Sequence, residues 1–182
     1  MNNYQTKAVR TLIDRPDFEL TEAQWRRILN SVALSAASGS ITEYLKKGIF
    51  HQHGSDDRDI VTMLGQVYRL NLITPVNYWF ASENVMVVWT LTGLIGEVAE
   101  VAHLILEGLV KGEFDKGKLS KELGDICWYV ASLCTKLGFD LDEVMAANIA
   151  KLELRYPNGY NSNDSQRRID TAQEAIDISP NL

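Results

Sequence analysis

Cysteine, histidine and proline are scarce in this sequence of 182 residues, which contains two, three and four of them respectively. Cys127 and Cys134 fall within one predicted helix. Their separation there corresponds to a rise of about 10 Å, more than the roughly 7 Å between Cα atoms that a disulfide bridges. Two cysteines and three histidines also make a poor zinc site. Because the opening MNNYQTKAVR also lacks the apolar core of a signal peptide, we expect a cytoplasmic protein with reduced thiols.

The sequence also has no excess of basic residues. Its formal net charge is −6 at pH 7, which argues against binding nucleic acid through a basic surface. With 46% hydrophobic and 23% charged residues, the composition is that of a globular protein of ordinary domain size. A small anionic ligand stays compatible with this charge, since a bound cation can reverse the local sign.

One run, 85–106, is long and apolar enough to resemble a membrane span. Glu97 and Glu100 lie in its middle, and each would cost about 2.5–3.5 kcal/mol at the centre of a membrane-spanning helix. We therefore predict a buried helix of a protein that does not insert into a membrane. The two acids on that helix then need an explanation.

The few prolines and the lack of a long alternating apolar–polar run favour an all-α fold, a helical bundle. NLITPVNYW marks the main break in the middle of the chain. Helical spacing and capping signals predict helices at about 4–13, 21–47, 58–73, 83–107, 118–137 and 141–155, with a weak one within 165–178.

A weak internal repeat relates 34–73 to 94–132, aligning Gly48 with Gly108. Four identities in about forty residues give the repeat little weight by itself. If it is a duplication, the chain divides into a degenerate N-terminal half at 1–74, an acid-bearing half at 83–160 and a polar tail at 161–182, with both halves packed as one globular unit. The residues aligned with the four acids of the second half are Ala37, Ser40, Met63 and Gln66.

Two pairs of acids stand out from the charged background: Glu97 with Glu100, and Glu122 with Asp125. Their (i, i+3) spacing places both carboxylates of a pair on one helix face. Glu97 and Glu100 are the only charged residues between 84 and 106, and no charge follows the second pair from 126 to 135. Carboxylates isolated in buried helices are costly unless something positive meets them. Antiparallel packing of the two helices would bring the four acids together.

The mutual repulsion of these acids predicts a metal. At an effective dielectric of about 20 and a separation of about 5 Å, each carboxylate pair repels by roughly 3 kcal/mol. Four of them cannot all ionise at neutral pH unaided, and Mg²⁺ or Mn²⁺ would resolve the conflict. Because protein-bound Mg²⁺ usually takes up substrate phosphates, the site implies a phosphate-bearing ligand. Neutralisation by lysines is the weaker alternative, since the nearby lysines lie at or before the helix start.

The residues around the acids resemble a known family. GEVAE (96–100) followed by KELGDICWYVA (121–131) is similar to the ExxE…ExxD signature of the all-α nucleoside triphosphate pyrophosphohydrolases, the MazG-like superfamily. The segment 141–160 resembles that family's closing helix, YQTKAVRT (4–11) its opening helix and YLKKGIFHQHG (44–54) its helix-to-loop junction. Because the acids occur in the second half alone, we expect a fused duplication that imitates the family dimer within one chain.

This resemblance implies Mg²⁺-dependent hydrolysis of a nucleoside triphosphate to the monophosphate and pyrophosphate, with Mn²⁺ as a substitute metal. It assigns catalysis and metal binding to Glu97, Glu100, Glu122 and Asp125. Asn148, Lys151 and Arg155 share a helix face and are candidate phosphate contacts, with a solvated helix end as the alternative. Tyr129, one turn after Asp125, is a candidate base or sugar contact, with a core tyrosine as the alternative. We expect Trp128 in the core, and His51 and His53 on a loop surface.

Other functions stay open at this point. A house-cleaning role on free nucleotides is favoured, but dUTP, dCTP or phosphoribosyl-ATP would serve the same metal chemistry. Since half of the chain lacks the acids, a non-catalytic nucleotide-binding or interaction module is a further alternative. The apolar length of 85–107 suits a subunit interface, so we expect a homodimer. A monomer is allowed if the duplication already supplies the partner.

Overall fold

The computed structural model of the protein describes residues 3–14, 18–73, 77–168 and 170. Within these ranges the chain is helical and forms no strand, which confirms the all-α prediction. Its α-helices are α1 (Asn3–Ala8, followed by a 3₁₀ turn at Val9–Thr11), α2 (Glu22–Phe50), α3 (Asp57–Ile73), α4 (Tyr78–Glu83), α5 (Val85–Lys111), α6 (Lys116–Leu137), α7 (Leu141–Arg155) and α8 (Ser162–Arg167).

Two differences from the predicted helices have local causes. The helix α4 begins within the predicted central break, at Tyr78, and Asn77 caps it by accepting a hydrogen bond from the Phe80 N–H at 3.1 Å. The long predicted connection between the acid-bearing helices is also wrong, because α5 and α6 extend until only 112–115 separates them. Part of the weak C-terminal helix is formed as α8, and 171–178 lie outside the described residues.

The α5–α6 hairpin is the most extensively packed pair of helices in the structure. Gly112 ends α5 in the left-handed region, with φ 82°, and its N–H donates to the Gly108 carbonyl at 2.8 Å. Asp115 then caps α6 by accepting a hydrogen bond from the Lys118 N–H at 3.0 Å. A Cβ at Gly108 would lie 2.3 Å from Cδ1 of Phe114. The absence of a side chain there lets the returning chain close the hairpin tightly.

A second hairpin pairs α2 with α3. A Cβ at Gly48, near the end of α2, would lie 2.7 Å from the Ser55 Cβ. Gly48 therefore has the same local role as Gly108, the residue with which the sequence repeat aligns it. The duplication and its domain boundaries stay predictions.

The opening helix α1 packs on α6, although four other α-helices lie between them in the sequence. Gln5, fully buried, connects three groups around the α6–α7 junction. Its Nε2 donates to Thr135 Oγ1 and to the Phe139 carbonyl, both at 3.0 Å, and its Oε1 accepts from the Leu141 N–H at 3.0 Å. Trp128 Nε1 donates to the Ala8 carbonyl at 3.0 Å. The N-terminal helix therefore supports the helix that carries two of the four acids.

Replacing Gln5 by alanine is expected to destabilise the protein by about 2–3 kcal/mol, because it leaves buried partners at the junction unsatisfied. For a chain of this length that corresponds to a fall in Tm of about 4–12 °C. Thermal unfolding followed by circular dichroism measures it. Gln24→Ala, which removes an exposed capping contact of α2, is the matched control and should cost about 1 kcal/mol or less. Equal losses in both variants would contradict the bridging role of Gln5.

The expectation that the apolar helix is buried is wrong for the single chain. By length and composition α5 could cross a membrane, with a mean hydropathy of 1.6 over its most apolar window, yet 11% of that window is buried. Packing against α6 covers one side, and among α5 residues Met86, Thr90 and Gly108 are buried. Apolar side chains near its end, including Leu109 and Val110, are exposed.

Candidate active site

Three of the four predicted acids converge where α5 faces α6. One carboxylate oxygen from each of Glu97, Glu122 and Asp125 lies within 4.8 Å of the others. Glu97 comes from the middle of α5, whereas Glu122 and Asp125 occupy one face of the first half of α6. Glu97 and Glu122 are partly buried and Asp125 is exposed. The cluster is therefore open to solvent on one side.

The protonation of Glu97 reflects this crowding. Loss of hydration raises the pKa of the Glu97 carboxyl, and the negative charges of Glu100, Asp125 and Glu122 raise it further. A hydrogen bond with Glu122 acts in the same direction. In the part of the chain that the structure describes, no lysine or arginine forms an ion pair with the three clustered carboxylates. Lys118, a lysine in the first turn of α6, pairs with Asp115 instead.

Glu100 lies outside the group of three. It is exposed on α5 and influences the cluster through its charge on Glu97. The four acids thus divide into three that converge and one that is close enough to raise a neighbour's pKa.

The donor set fits a hard divalent cation. Three carboxylates supply oxygen ligands only, the type that Mg²⁺ and Mn²⁺ prefer. Their mutual repulsion, unrelieved by a basic side chain, favours binding of positive charge. The open side leaves room for water or phosphate oxygens, which Mg²⁺ sites in proteins usually retain. Glu97, Glu122 and Asp125 are the residues that would hold the metal.

An aromatic wall adjoins the acids. On α5, Trp89, Gly93 and Glu97 follow each other at intervals of four and so share one face. A Cβ at Gly93 would lie 2.2 Å from Cε1 of Tyr129, so glycine makes room for that ring. Burial raises the pKa of the Tyr129 hydroxyl, as do the charges of Glu97 and Asp125. The ring of Trp89 lies 6.0 Å from that of Tyr129.

Sequence reasoning missed Trp89 as a member of this wall. Its indole is 41% exposed and packs edge-on against Trp128 at 6.2 Å. The signal was its position two turns before Glu97 on the same face. Trp128, expected in the core, is partly buried and holds the N-terminal helix through its indole N–H.

The predicted phosphate contacts on α7 are not part of this cluster. Asn148 and Lys151 are exposed, and α7 forms no extended packing with α5 or α6 among the described residues. Arg155 instead pairs with Asp170, donating from Nε to Oδ1 at 2.8 Å and from a second guanidinium nitrogen to Oδ2. The Asp170 carboxylate is 2% exposed. It raises the pKa of Arg155 above its usual range, and Arg155 lowers that of Asp170.

Comparison with known proteins identifies the segment that carries this site. Residues 89–160 match the family model described as the MazG nucleotide pyrophosphohydrolase domain. This confirms the resemblance over that segment, which is similar to the nucleotide pyrophosphohydrolase domain of the MazG-like superfamily. All four acids, Tyr129 and the α7 residues lie within the matched segment.

A curated relative is similar over a comparable length. The Gene 37 protein of Mycobacterium phage L5 is 36% identical over 73 residues, which cover 37% of this chain and 63% of that protein. This chain therefore spans less than two thirds of that relative's length. No solved structure matches the chain.

Proposed function

We propose that the protein hydrolyses a nucleoside triphosphate to the monophosphate and pyrophosphate in a Mg²⁺-dependent reaction. The observation that carries the proposal is the convergence of Glu97, Glu122 and Asp125 within 4.8 Å, inside the segment that matches a nucleotide pyrophosphohydrolase domain. A house-cleaning role on free nucleotides in the cytoplasm is part of the proposal. The cytoplasmic location is supported by the two cysteines, which are both free thiols.

The chain's own residues supply binding and orientation. The three converging carboxylates would hold the cation, which would attract the triphosphate to the open side of the cluster. When bound, Mg²⁺ polarises phosphate oxygens, promotes deprotonation of water and stabilises the charge on departing pyrophosphate. Attack of the water oxygen on the α-phosphorus breaks its bond to the oxygen that bridges to the β-phosphorus. The departing pyrophosphate keeps that bridging oxygen.

Glu100 is the carboxylate best placed to take the proton of the attacking water. It is near enough to raise the pKa of Glu97 but lies outside the group that would hold the metal. Its exposure allows it to exchange that proton with solvent. The role divides the four acids into three ligands and one general base.

The aromatic wall is a surface on which a nucleobase can stack. Trp89 and Tyr129 lie along the hairpin from the acids toward the start of α5. Stacking on an aromatic ring contributes about 1–3 kcal/mol per base and accepts any base. We therefore assign the base to this wall and the phosphates to the acids.

A second copy of the chain is the proposed partner. The isolated chain exposes 13286 Å², whereas a compact monomer of its mass exposes about 8,900 Å². Obligate homodimers bury about 2,000–5,000 Å² in total, which is about 1,000–2,500 Å² per chain, so pairing can account for part of this excess. The exposed apolar side chains of α5 and α7 are the surface that we propose is covered: Ile105, Leu106, Leu109, Val110, Met145, Ile149 and Leu152.

Replacing Ile149 by glutamate is expected to convert the dimer to monomers, because it places a charge within this apolar surface. Light scattering coupled to size-exclusion chromatography measures the mass. Ala147→Glu is the matched control, because that residue is exposed on the opposite face of the same helix. A monomeric wild type, or dissociation by both variants alike, would contradict the proposed interface.

Chromatography of products from the ribo- and deoxyribonucleoside triphosphates, with Mg²⁺ and then with a chelator, tests the proposed reaction. We expect monophosphate and pyrophosphate with Mg²⁺ only, and the preferred base identifies the substrate. Turnover that persists in the chelator would contradict the metal dependence. No turnover of any nucleotide would contradict the proposed substrate class.

A further inference from the structure

Two of the three histidines meet at a buried hydroxyl, far along the chain from the acid cluster. His51 Nδ1 lies 3.0 Å from Ser165 Oγ, and His53 Nε2 lies 3.3 Å from the same oxygen. The two rings are 5.9 Å apart, nearly perpendicular at 68°. Ser165 is 4% exposed. Two imidazole nitrogens therefore converge from the end of α2 on one oxygen of α8.

The backbone that brings them together is strained. Gln52, between the histidines, has φ 59°, in the left-handed region that non-glycine side chains rarely adopt. The His53 N–H closes the end of α2 by donating to the Lys47 carbonyl at 3.1 Å, a bond typical of helix ends that normally use glycine at this position. Gln166 Nε2 donates to the Gln52 carbonyl at 3.3 Å. Such a conformation persists where the surroundings impose it, often at a binding site.

We propose that His51 and His53 form a second metal site, for a transition-metal ion that prefers imidazole, such as Zn²⁺. It is distinct in chemistry from the acid cluster, because nitrogen ligands select Zn²⁺ over Mg²⁺. The proposal does not depend on nucleotide hydrolysis.

The sequence alone predicted a poor zinc site from two cysteines and three histidines; the feature added by the fold is Ser165 Oγ, which lies beside both imidazole nitrogens. Among the described residues, the acid cluster is the one group of three or more His, Cys, Asp or Glu side chains that could share an ion. The histidine pair therefore needs a ligand of another type, and Ser165 Oγ or a water bound to it supplies one. Zn²⁺ takes four ligands in a tetrahedral arrangement, so the site keeps a position for solvent. A bound ion would link the end of α2 to α8.

Zn²⁺ titration of the chain without any added histidine tag tests the proposal, with a coloured chelator as competitor. Glu122→Gln provides a background in which binding at the acid cluster is weakened. We expect His51→Ala and His53→Ala each to weaken Zn²⁺ binding by at least about 10-fold, because even residues behind the ligands change metal affinity by about 10–100-fold. His103→Ala, the remaining histidine, is the matched control and should bind as the parent does.

Nuclear magnetic resonance of the wild-type imidazoles keeps the test valid if a variant fails to fold. Zn²⁺ should shift the ring signals of two histidines and leave those of the third in place. Zn²⁺ binding that is the same in both alanine variants, or ring signals that do not respond, would overturn the proposal. The contacts with Ser165 would then be hydrogen bonds that hold α8 in place.

Discussion

Replacing Glu122 by glutamine is expected to lower kcat by about 10²–10³-fold. The change removes a charged ligand from the three that converge and so weakens the site for the cation. Metal ions contribute several kcal/mol to charge stabilisation in such reactions, and each 1.36 kcal/mol corresponds to about a tenfold change in rate. Steady-state release of pyrophosphate measures the effect, and Mn²⁺ titration followed by electron paramagnetic resonance measures metal affinity.

Glu100→Gln separates metal binding from proton transfer. Because Glu100 lies outside the converging group, we expect this variant to bind Mn²⁺ nearly as well as the wild type. General bases contribute about 10²–10⁴-fold, so its kcat should still fall by about that factor. Glu113→Gln, an equal charge change in the connection between α5 and α6, is the control that should leave both quantities unchanged. Loss of Mn²⁺ affinity in Glu100→Gln as large as in Glu122→Gln would contradict the division of roles.

Replacing Arg155 by methionine is expected to destabilise the protein by about 3 kcal/mol, because the buried Asp170 carboxylate loses its hydrogen-bonded cation and keeps only the longer contact with Arg168 Nε at 3.8 Å. This corresponds to a fall in Tm of about 6–12 °C for a chain of this length. Asp170→Asn should cause a similar loss, since either change breaks the same pair. Thermal unfolding at neutral pH measures both variants.

Substrate kinetics distinguish this structural role from the phosphate contact expected from the sequence. Lys151→Met, on the same helix but exposed, should keep its Tm. If Lys151 contacts phosphate, the Lys151→Met variant should have a raised KM for the nucleoside triphosphate. An unchanged Tm with a raised KM in Arg155→Met, together with no effect of Asp170→Asn, would show that Arg155 serves the substrate instead of the fold.

The contribution of the Arg155–Asp170 ion pair to the free energy of unfolding decreases at acid pH. Arg155 lowers the pKa of Asp170 in the folded protein, so the unfolded chain binds more protons between the two pKa values. The stability that the pair contributes is therefore complete above the unfolded pKa of about 3.9. It decreases as the pH falls through the lower pKa of the folded state.

The helices and the acid cluster were accessible from sequence because they depend on local signals. The apolar run around Glu97 and Glu100 and the charge-free run after Asp125 predicted two helices that bring acids together. Both helices exist, and three of the four acids converge. The connection between these helices was overestimated: the sequence predicted ends at about 107 and 118, whereas α5 continues to Lys111 and α6 begins at Lys116. The close approach of Phe114 to Gly108 shortens it, and that contact depends on three-dimensional packing.

Contacts between distant segments were not accessible from periodicity. Gln5 reaches the α6–α7 junction and Arg155 pairs with Asp170 through geometry that no helical spacing encodes. The convergence of His51 and His53 on Ser165 likewise depends on how α8 meets the end of α2. The exposed length of α5 shows the converse: composition predicted burial, whereas the described residues of a single chain leave much of its apolar surface exposed.

Hydrolysis of the preferred triphosphate in water enriched in heavy oxygen tests the central claim most directly. Mass spectrometry of the separated products locates the oxygen that came from water. We predict that it appears in the nucleoside monophosphate and not in pyrophosphate, as attack on the α-phosphorus requires. Label in pyrophosphate, or products consisting of nucleoside diphosphate and orthophosphate, would contradict the account.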